Sequence, residues 1–88
     1  MYTTSCERVE DGGTFLTSNN TRVRLANVCA PEFHEPGGAQ AKTTLENLIL
    51  RKYVDYQPVG QDGTRIIAEV WIGTVNVNQY MRNQGYTC

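Results

Sequence analysis

The sequence predicts a small domain of mixed β and α structure, most simply a closed five-stranded barrel with two helices. Segments in which apolar and polar residues alternate form a group of three and a group of two, and a segment of helical periodicity lies between the groups. A second, shorter helical segment follows the last strand. A chain of 88 residues makes one domain, and glycine and proline turn signals separate its elements.

The first third of the chain predicts a three-stranded meander. Residues 1–10 and 14–17 form its first two strands, and the Asp-Gly-Gly sequence between them is a turn signal. A polar tip then leads into a third strand, which starts at Arg22 and has apolar residues at alternate positions. Pro31 cannot donate to a strand ladder and favours extended geometry before it, so pairing should end at about Ala30.

In the rest of the chain, sequence patterns typical of helices alternate with patterns typical of strands. Apolar residues recur on one face of residues 39–50, which predicts a helix. A fourth strand is expected over residues 53–58, where a proline should stop it, and alternation predicts a fifth strand over residues 65–72. A short C-terminal helix over residues 77–84 should end at Gly85.

The composition restricts the partners of the chain. The formal net charge of -1 gives no overall attraction to nucleic acid, so such binding would need a local basic patch. No apolar run approaches the roughly 20 residues of a membrane span, and no membrane association is expected. The N-terminus has no signal-peptide pattern, which favours a cytoplasmic location.

Residues 22–32, R-V-R-L-A-N-V-C-A-P-E, give the strongest functional signal. Arg24 lies within the predicted strand, and Glu32 lies just beyond the end of that strand. An arginine and a carboxylate at the exit of a strand are residue types from which a phosphate site can be built. The alternative is that Arg24 pairs with Glu32 and needs no ligand.

Several ordered motifs resemble the staphylococcal nuclease (thermonuclease) family. V-E-D-G-G-T at residues 9–14 is similar to the family's V-x-D-G-D-T, and the segment from residue 23 to residue 32 is similar to V-R-L-x-x-[VI]-D-[TA]-P-E. Further matches are Ala41, Leu45 and Leu48 in the helix, Asp62 with Arg65, and Val77-Asn78 before Gly85-Tyr86. The resemblance implies an OB-fold barrel. It also predicts that residues 1–88 form a single domain without the family's usual C-terminal extension.

The resemblance implies phosphodiester hydrolysis with one calcium ion, two arginines and a glutamate. Arg24 and Arg65 match the arginines and Glu32 matches the glutamate, so these three are the expected catalytic residues. In such a site the metal and the arginines stabilise charge on the phosphorane, and the glutamate positions or activates water. The motif before Arg65 is shorter than in the family and lacks its tyrosine. An arginine that serves only a surface hairpin is the alternative there.

Two departures fall on the positions that should bind the metal. The family's two calcium-ligand aspartates are replaced by Gly13 and Cys29. Glycine has no side-chain oxygen, and a thiol is a soft ligand that suits calcium poorly. Asp11 and Glu32 remain as weak candidate ligands, although Asp11 is better explained as a turn residue. We therefore expect no cofactor, or calcium if hydrolysis survives.

These observations predict a nucleic-acid-binding module with weak or absent phosphodiesterase activity. Arg24 and Arg65 would contact phosphates of single-stranded DNA or RNA. Trp71, which alternates against core positions, is the best candidate for stacking on a base. Two alternatives remain open: an active metal-dependent nuclease that cleaves DNA or RNA, and a non-catalytic domain that binds a protein partner.

The three cysteines allow two predictions. By the topology that the resemblance implies, the C-terminus returns to the first strand, which predicts a Cys6–Cys88 disulfide with Cys29 as a free thiol. The other prediction is three reduced cysteines, which the absence of a signal peptide favours.

Overall fold

Five strands close into a mixed barrel in the computed structural model, which describes residues 1–88. The strands are β1 (Tyr2–Asp11), β2 (Thr14–Thr17), β3 (Arg22–Leu25), β4 (Tyr53–Asp62) and β5 (Arg65–Ile72). Their hydrogen-bonded order is β3-β2-β1-β4-β5, and parallel pairing of β3 with β5 closes the barrel. The other pairs of these strands are antiparallel. The predicted OB-type barrel is confirmed.

Two helices accompany the barrel, as the sequence predicts. Helix α1 (Gly38–Ile49) connects β3 to β4, and α2 (Val77–Asn83) follows a two-residue strand, β6 (Val75–Asn76), that pairs with β5. Helix α2 ends with the predicted glycine cap, because Gly85 has a φ of 101° and its N–H donates to the Arg82 carbonyl. Neither helix is long and apolar enough to cross a membrane.

The core fills the barrel and the space beneath both helices. Inward positions alternate along the strands as predicted, and each large apolar side chain that is fully buried contributes about 1.5–3 kcal/mol to folding. The core cluster consists of Cys6, Val9, Phe15, Val23, Leu25, Val28, Leu45, Ile49, Val54, Ala68, Val70, Val77 and Met81.

The predicted end of β4 is wrong. The strand does not stop at Pro58 but continues to Asp62, with a register shift between Pro58 and Gly60. Only residues 53–56 of β4 pair with β1, so at Pro58 the strand has no neighbour on that side. A proline is tolerated at an edge because no neighbouring strand needs its missing N–H.

The predicted end of β3 is also wrong. The strand ends at Leu25 rather than near Ala30, because Asn27 has a φ of 58°, which leaves the extended conformation. The Ala26 N–H makes a last bond to the Ala68 carbonyl, at 2.9 Å. The residues after Asn27 therefore belong to a loop.

Asn78 is a buried polar residue that joins α2 to two strands. Its Oδ1 accepts the Val70 N–H at 2.9 Å, and its Nδ2 donates to the carbonyls of Ala26 and Ala68 at 2.9 and 3.0 Å. Burial of an amide costs little when its donors and acceptor are paired in this way. The side chain holds α2 against the end of β3 and the middle of β5.

Both cysteine predictions are wrong. Cys29 forms a disulfide with Cys88, with Cα atoms 4.9 Å apart. Cys6 is the free thiol, and its side chain lies in the core with 1% exposure, where no second cysteine reaches it. The Cys29 N–H donates to the Tyr86 carbonyl at 3.1 Å, which brings the C-terminal residues to the loop after β3 rather than to β1.

Candidate functional site

A cleft of about 190 Å³ opens where the turn after β1, the loop after β3 and the start of β5 meet. All three predicted catalytic residues line this cleft. The complete lining is Asp11, Gly13, Thr14, Arg24, Val28, Ala30, Glu32 and Arg65. The cleft therefore also contains both weak metal candidates and one of the two replaced aspartate positions. The other, Cys29, does not line it, and its sulfur is bonded to Cys88.

The parallel pairing of β3 with β5 brings the two arginines to one face. Arg22 lies opposite Arg65 in the register, and Arg24 lies opposite Ile67. Side chains two positions apart on a strand share a face, so Arg24 and Arg65 both project outward, on the side opposite to the buried Val23.

The two guanidinium groups have different partners. Arg24 is half-buried, forms no ion pair and makes one long hydrogen bond, in which its Nη2 donates to the Val28 carbonyl at 3.5 Å. The predicted alternative, an Arg24–Glu32 pair, is wrong. Arg65 forms an ion pair with Asp62 across the β4–β5 turn. Arg24 is thus the cation with most of its five N–H donors free for an anion in the cleft.

Glu32 is held at the rim of the cleft through its backbone. Its N–H donates to a carboxylate oxygen of Glu35 at 2.8 Å, and its carbonyl accepts the Glu35 N–H at 2.9 Å. The start of α1 packs on the same carbonyl so closely that a Cβ at Gly38 would lie 1.9 Å from it. The Glu32 carboxylate lies 3.5 Å from His34 Nε2, and its side chain is 68% exposed. The backbone is fixed while the carboxylate stays in contact with solvent.

Asp11 is a turn residue that also lines the cleft. One of its carboxylate oxygens accepts the Gly13 N–H at 2.8 Å, which is the geometry of an Asx turn. Gly13 leaves room for a Cβ, because one built there would make only ordinary van der Waals contacts, with no neighbour closer than 3.8 Å. A larger side chain can therefore begin at Gly13 without a clash.

The cleft offers fewer oxygen ligands than calcium usually takes. Calcium binds about six to eight oxygens, largely from carboxylates. The cleft contains the carboxylates of Asp11 and Glu32 and the Val28 carbonyl, and the Asp11 carboxylate already accepts a bond within its turn. Nowhere in residues 1–88 do three or more His, Cys, Asp or Glu side chains form a group that could bind a metal ion.

Trp71 lies away from the cleft. It is half-buried on β5, where Asp55 and Asn76 are its neighbours on the adjacent strands. At about 3.3 Å per residue, its Cα is roughly 20 Å along the strand from that of Arg65. A base stacked on Trp71 would thus be several nucleotides from a phosphate bound in the cleft.

Phe33 is an aromatic residue near the cleft that the sequence argument missed. It directly follows Glu32, the residue is 55% exposed, and the ammonium group of Lys42 lies 4.8 Å from its ring centroid. An exposed ring beside a cleft lined by two arginines is suited to stacking on a base. The signal in the sequence was an aromatic residue within a polar loop that contains prolines, where no core position requires one.

The fold and the cleft define a class of protein, a small OB-type barrel with two arginines and a carboxylate around one opening. The arginines lie on β3 and β5, and the carboxylate lies in the loop after β3. Such an opening is suited to a phosphate group. Sequence comparison identifies the family directly, because the family described as "Staphylococcal nuclease homologue" matches residues 22–88. The chain belongs to the staphylococcal nuclease family.

A curated protein of Haemophilus influenzae (strain ATCC 51907 / DSM 11121 / KW20 / Rd), described as an "Uncharacterized endonuclease", is 36% identical to the chain over 83 residues. The match covers 89% of this chain and 47% of that protein. The chain therefore spans about half the length of this relative.

Proposed function

We propose that the domain binds single-stranded DNA or RNA through phosphate contacts from Arg24 and Arg65, and that it hydrolyses phosphodiesters weakly or not at all. One observation supports both parts of the proposal. The cleft contains the residues that match the family's two arginines and its glutamate, whereas Gly13 and Cys29 stand where the resemblance implies two calcium-ligand aspartates.

The partners of the arginines support the binding part of the proposal. The Arg24 side chain has no carboxylate partner, and its only hydrogen bond is the long one to the Val28 carbonyl. A guanidinium group can give a phosphate two parallel hydrogen bonds, and charge-assisted bonds of this kind are stronger than neutral ones. Arg65 already pairs with Asp62, so we assign it the weaker contact.

The absence of two metal-binding carboxylates supports the part of the proposal that concerns weak or absent hydrolysis. Without two carboxylates the cleft loses the metal charge that would stabilise the phosphorane, and loss of an electrostatic catalytic group costs several kcal/mol, or several decades of rate. The exposed Glu32 remains as a possible base, but a base alone does not replace that charge.

Binding is tested with a labelled single-stranded oligonucleotide and fluorescence anisotropy at low salt. We expect Arg24→Ala to weaken binding by about 10- to 100-fold and Arg65→Ala by less, because charge-assisted hydrogen bonds contribute about 1.5–3 kcal/mol. Lys52→Gln is the matched control, since it removes an exposed cation that has no ion pair and lies outside the cleft. If neither arginine variant changes the affinity, or if the domain binds no nucleic acid, the proposal fails and a protein partner is favoured.

Restoring the carboxylates tests the hydrolysis part. Gly13→Asp with Cys29→Asp should raise calcium binding, measured by calorimetry, and calcium-dependent cleavage of denatured DNA. Because the Cys29 change breaks a disulfide, the variant also needs Cys88→Ser, and Cys29→Ser with Cys88→Ser is its control. If neither calcium binding nor cleavage increases, the missing carboxylates are not the reason for weak activity.

An active metal-dependent nuclease is the second candidate, and the description of the Haemophilus relative as an endonuclease favours it. In that case Asp11, Glu32 and backbone oxygens such as that of Val28 would recruit the metal. The unmodified domain would then cleave denatured DNA or RNA in calcium, and both a chelator and Glu32→Gln would abolish the cleavage. A domain that binds but does not cleave under these conditions excludes this candidate.

A further inference from the structure

A second arginine cluster lies on the outer face of the barrel, beside the cleft. Strand register places four outward residues in one row across neighbouring strands. Leu16 of β2 lies opposite Arg8 of β1 on one side and opposite Arg22 of β3 on the other, and Arg22 in turn lies opposite Arg65 of β5. Arg65 also lines the cleft already described, so the row connects that cleft to a separate part of the barrel surface.

The far end of this row forms an opening of its own, with a volume of about 280 Å³. It is lined by Arg8, Leu16, Asn20, Arg22 and Thr64. Four of these five side chains can donate hydrogen bonds, and Leu16 supplies a small apolar floor between the two arginines. We call this opening the Arg8–Arg22 site.

The Arg8–Arg22 site has one uncompensated positive charge. Glu10 is the one carboxylate that pairs with either arginine, and its Oε2 lies 3.1 Å from Arg22 Nε and 3.6 Å from Arg8 Nη2. Two guanidinium groups thus share one carboxylate, and most of their N–H donors remain free. The side chains of Arg8 and Arg22 are 65% and 51% exposed, so an anion can reach them. The first cleft, by contrast, combines two arginines with two carboxylates.

We propose that the Arg8–Arg22 site is a second phosphate-binding subsite, which holds the backbone of the same single strand several nucleotides from the phosphate in the first cleft. The proposal rests on the proposed function. Strands in a sheet are about 4.8 Å apart, so the row from Arg65 to Arg8 spans about 14 Å. That distance is roughly four stacked nucleotides, and fewer if the strand is extended.

Two ligands of different length test this subsite. A 5′-phosphorylated thymidine dinucleotide reaches only one site, and its binding is followed by NMR chemical-shift titration. A labelled thymidine decanucleotide can reach both sites, and its binding is followed by fluorescence anisotropy. The variant is Arg8→Ala with Arg22→Ala. The control, Arg51→Asn with Lys52→Gln, removes the same number of cations from the turn between α1 and β4, and asparagine suits the positive φ of 62° at Arg51.

The double arginine variant should weaken decanucleotide binding by tenfold or more and lower the slope of log K against log salt by about 0.7 per lost phosphate contact. Its effect on the shifts that the dinucleotide induces at Arg24 should be less than twofold, and the control should change neither measurement. Glu10→Gln, which frees both guanidinium groups, should strengthen decanucleotide binding. Thermal unfolding of each variant checks that the fold is retained.

The possible outcomes separate this proposal from the proposed function. If Arg24→Ala weakens binding of both ligands while the Arg8 and Arg22 changes affect neither, the subsite is refuted and the proposed function stands. If the control weakens decanucleotide binding as much as the arginine variant does, the effect is one of net charge and the subsite is refuted. If the unmodified domain binds neither ligand, both proposals fail.

Discussion

Replacement of Cys29 and Cys88 by serine removes a disulfide that joins residues 59 positions apart. In the chain-entropy treatment, closing a loop of that length stabilises the folded state by about 4 kcal/mol, because the unfolded chain loses conformations. A domain of this size has a total free energy of unfolding of about 4–13 kcal/mol, at roughly 0.05–0.15 kcal/mol per residue. We therefore expect the double variant to lose a large share of its stability.

Urea unfolding of the oxidised domain, with and without reductant, measures this difference. Reductant should lower the urea midpoint of the unmodified domain. It should leave the midpoint of the serine variant unchanged, so the variant is the control for any other effect of the reductant. Thiol titration of the denatured, unreduced domain should find one thiol, that of Cys6. Three free thiols, or equal midpoints with and without reductant, would refute the Cys29–Cys88 pairing.

Two further predictions concern the core. Asn78→Ala leaves the buried Val70 N–H without its acceptor and removes one of the donors to the carbonyls of Ala26 and Ala68, which should cost about 1–3 kcal/mol in urea unfolding. The exposed Asn47→Ala should be close to neutral, and an equally small loss at Asn78 would contradict its role. Burial raises the pKa of the Cys6 thiol from 9.0 to about 11, so the folded state favours the protonated form. The contribution of the Cys6 thiol to the free energy of unfolding should be complete below pH 9. This contribution should fall by up to about 1.4 kcal/mol per pH unit as the pH rises towards 11. Unfolding measured against pH for Cys6→Ala should lack this component, and parallel curves for the two proteins would show that the thiol is not the cause.

The sequence by itself determined the local elements and the residues most suited to a phosphate. Helix α1 lies within one residue of its predicted limits, because the recurrence of apolar residues on one helical face depends only on neighbouring positions. The first three strands form the predicted meander for the same reason, since alternation and turn residues are local signals. Arg24 and Glu32 were identified from a short segment whose chemistry is visible without the fold.

The tertiary structure alone decided which distant residues meet. The parallel pairing of β3 with β5 places Arg22 beside Arg65, and no local pattern specifies that register. The same pairing joins the cleft to the Arg8–Arg22 site, which the sequence did not indicate because its two arginines lie on different strands, β1 and β3. The position of Pro58 was misjudged because a proline's effect depends on whether a strand lies beside it. The partner of Cys88 was misjudged because spacing does not show that Cys6 points into the core while Cys29 lies where the C-terminal residues return.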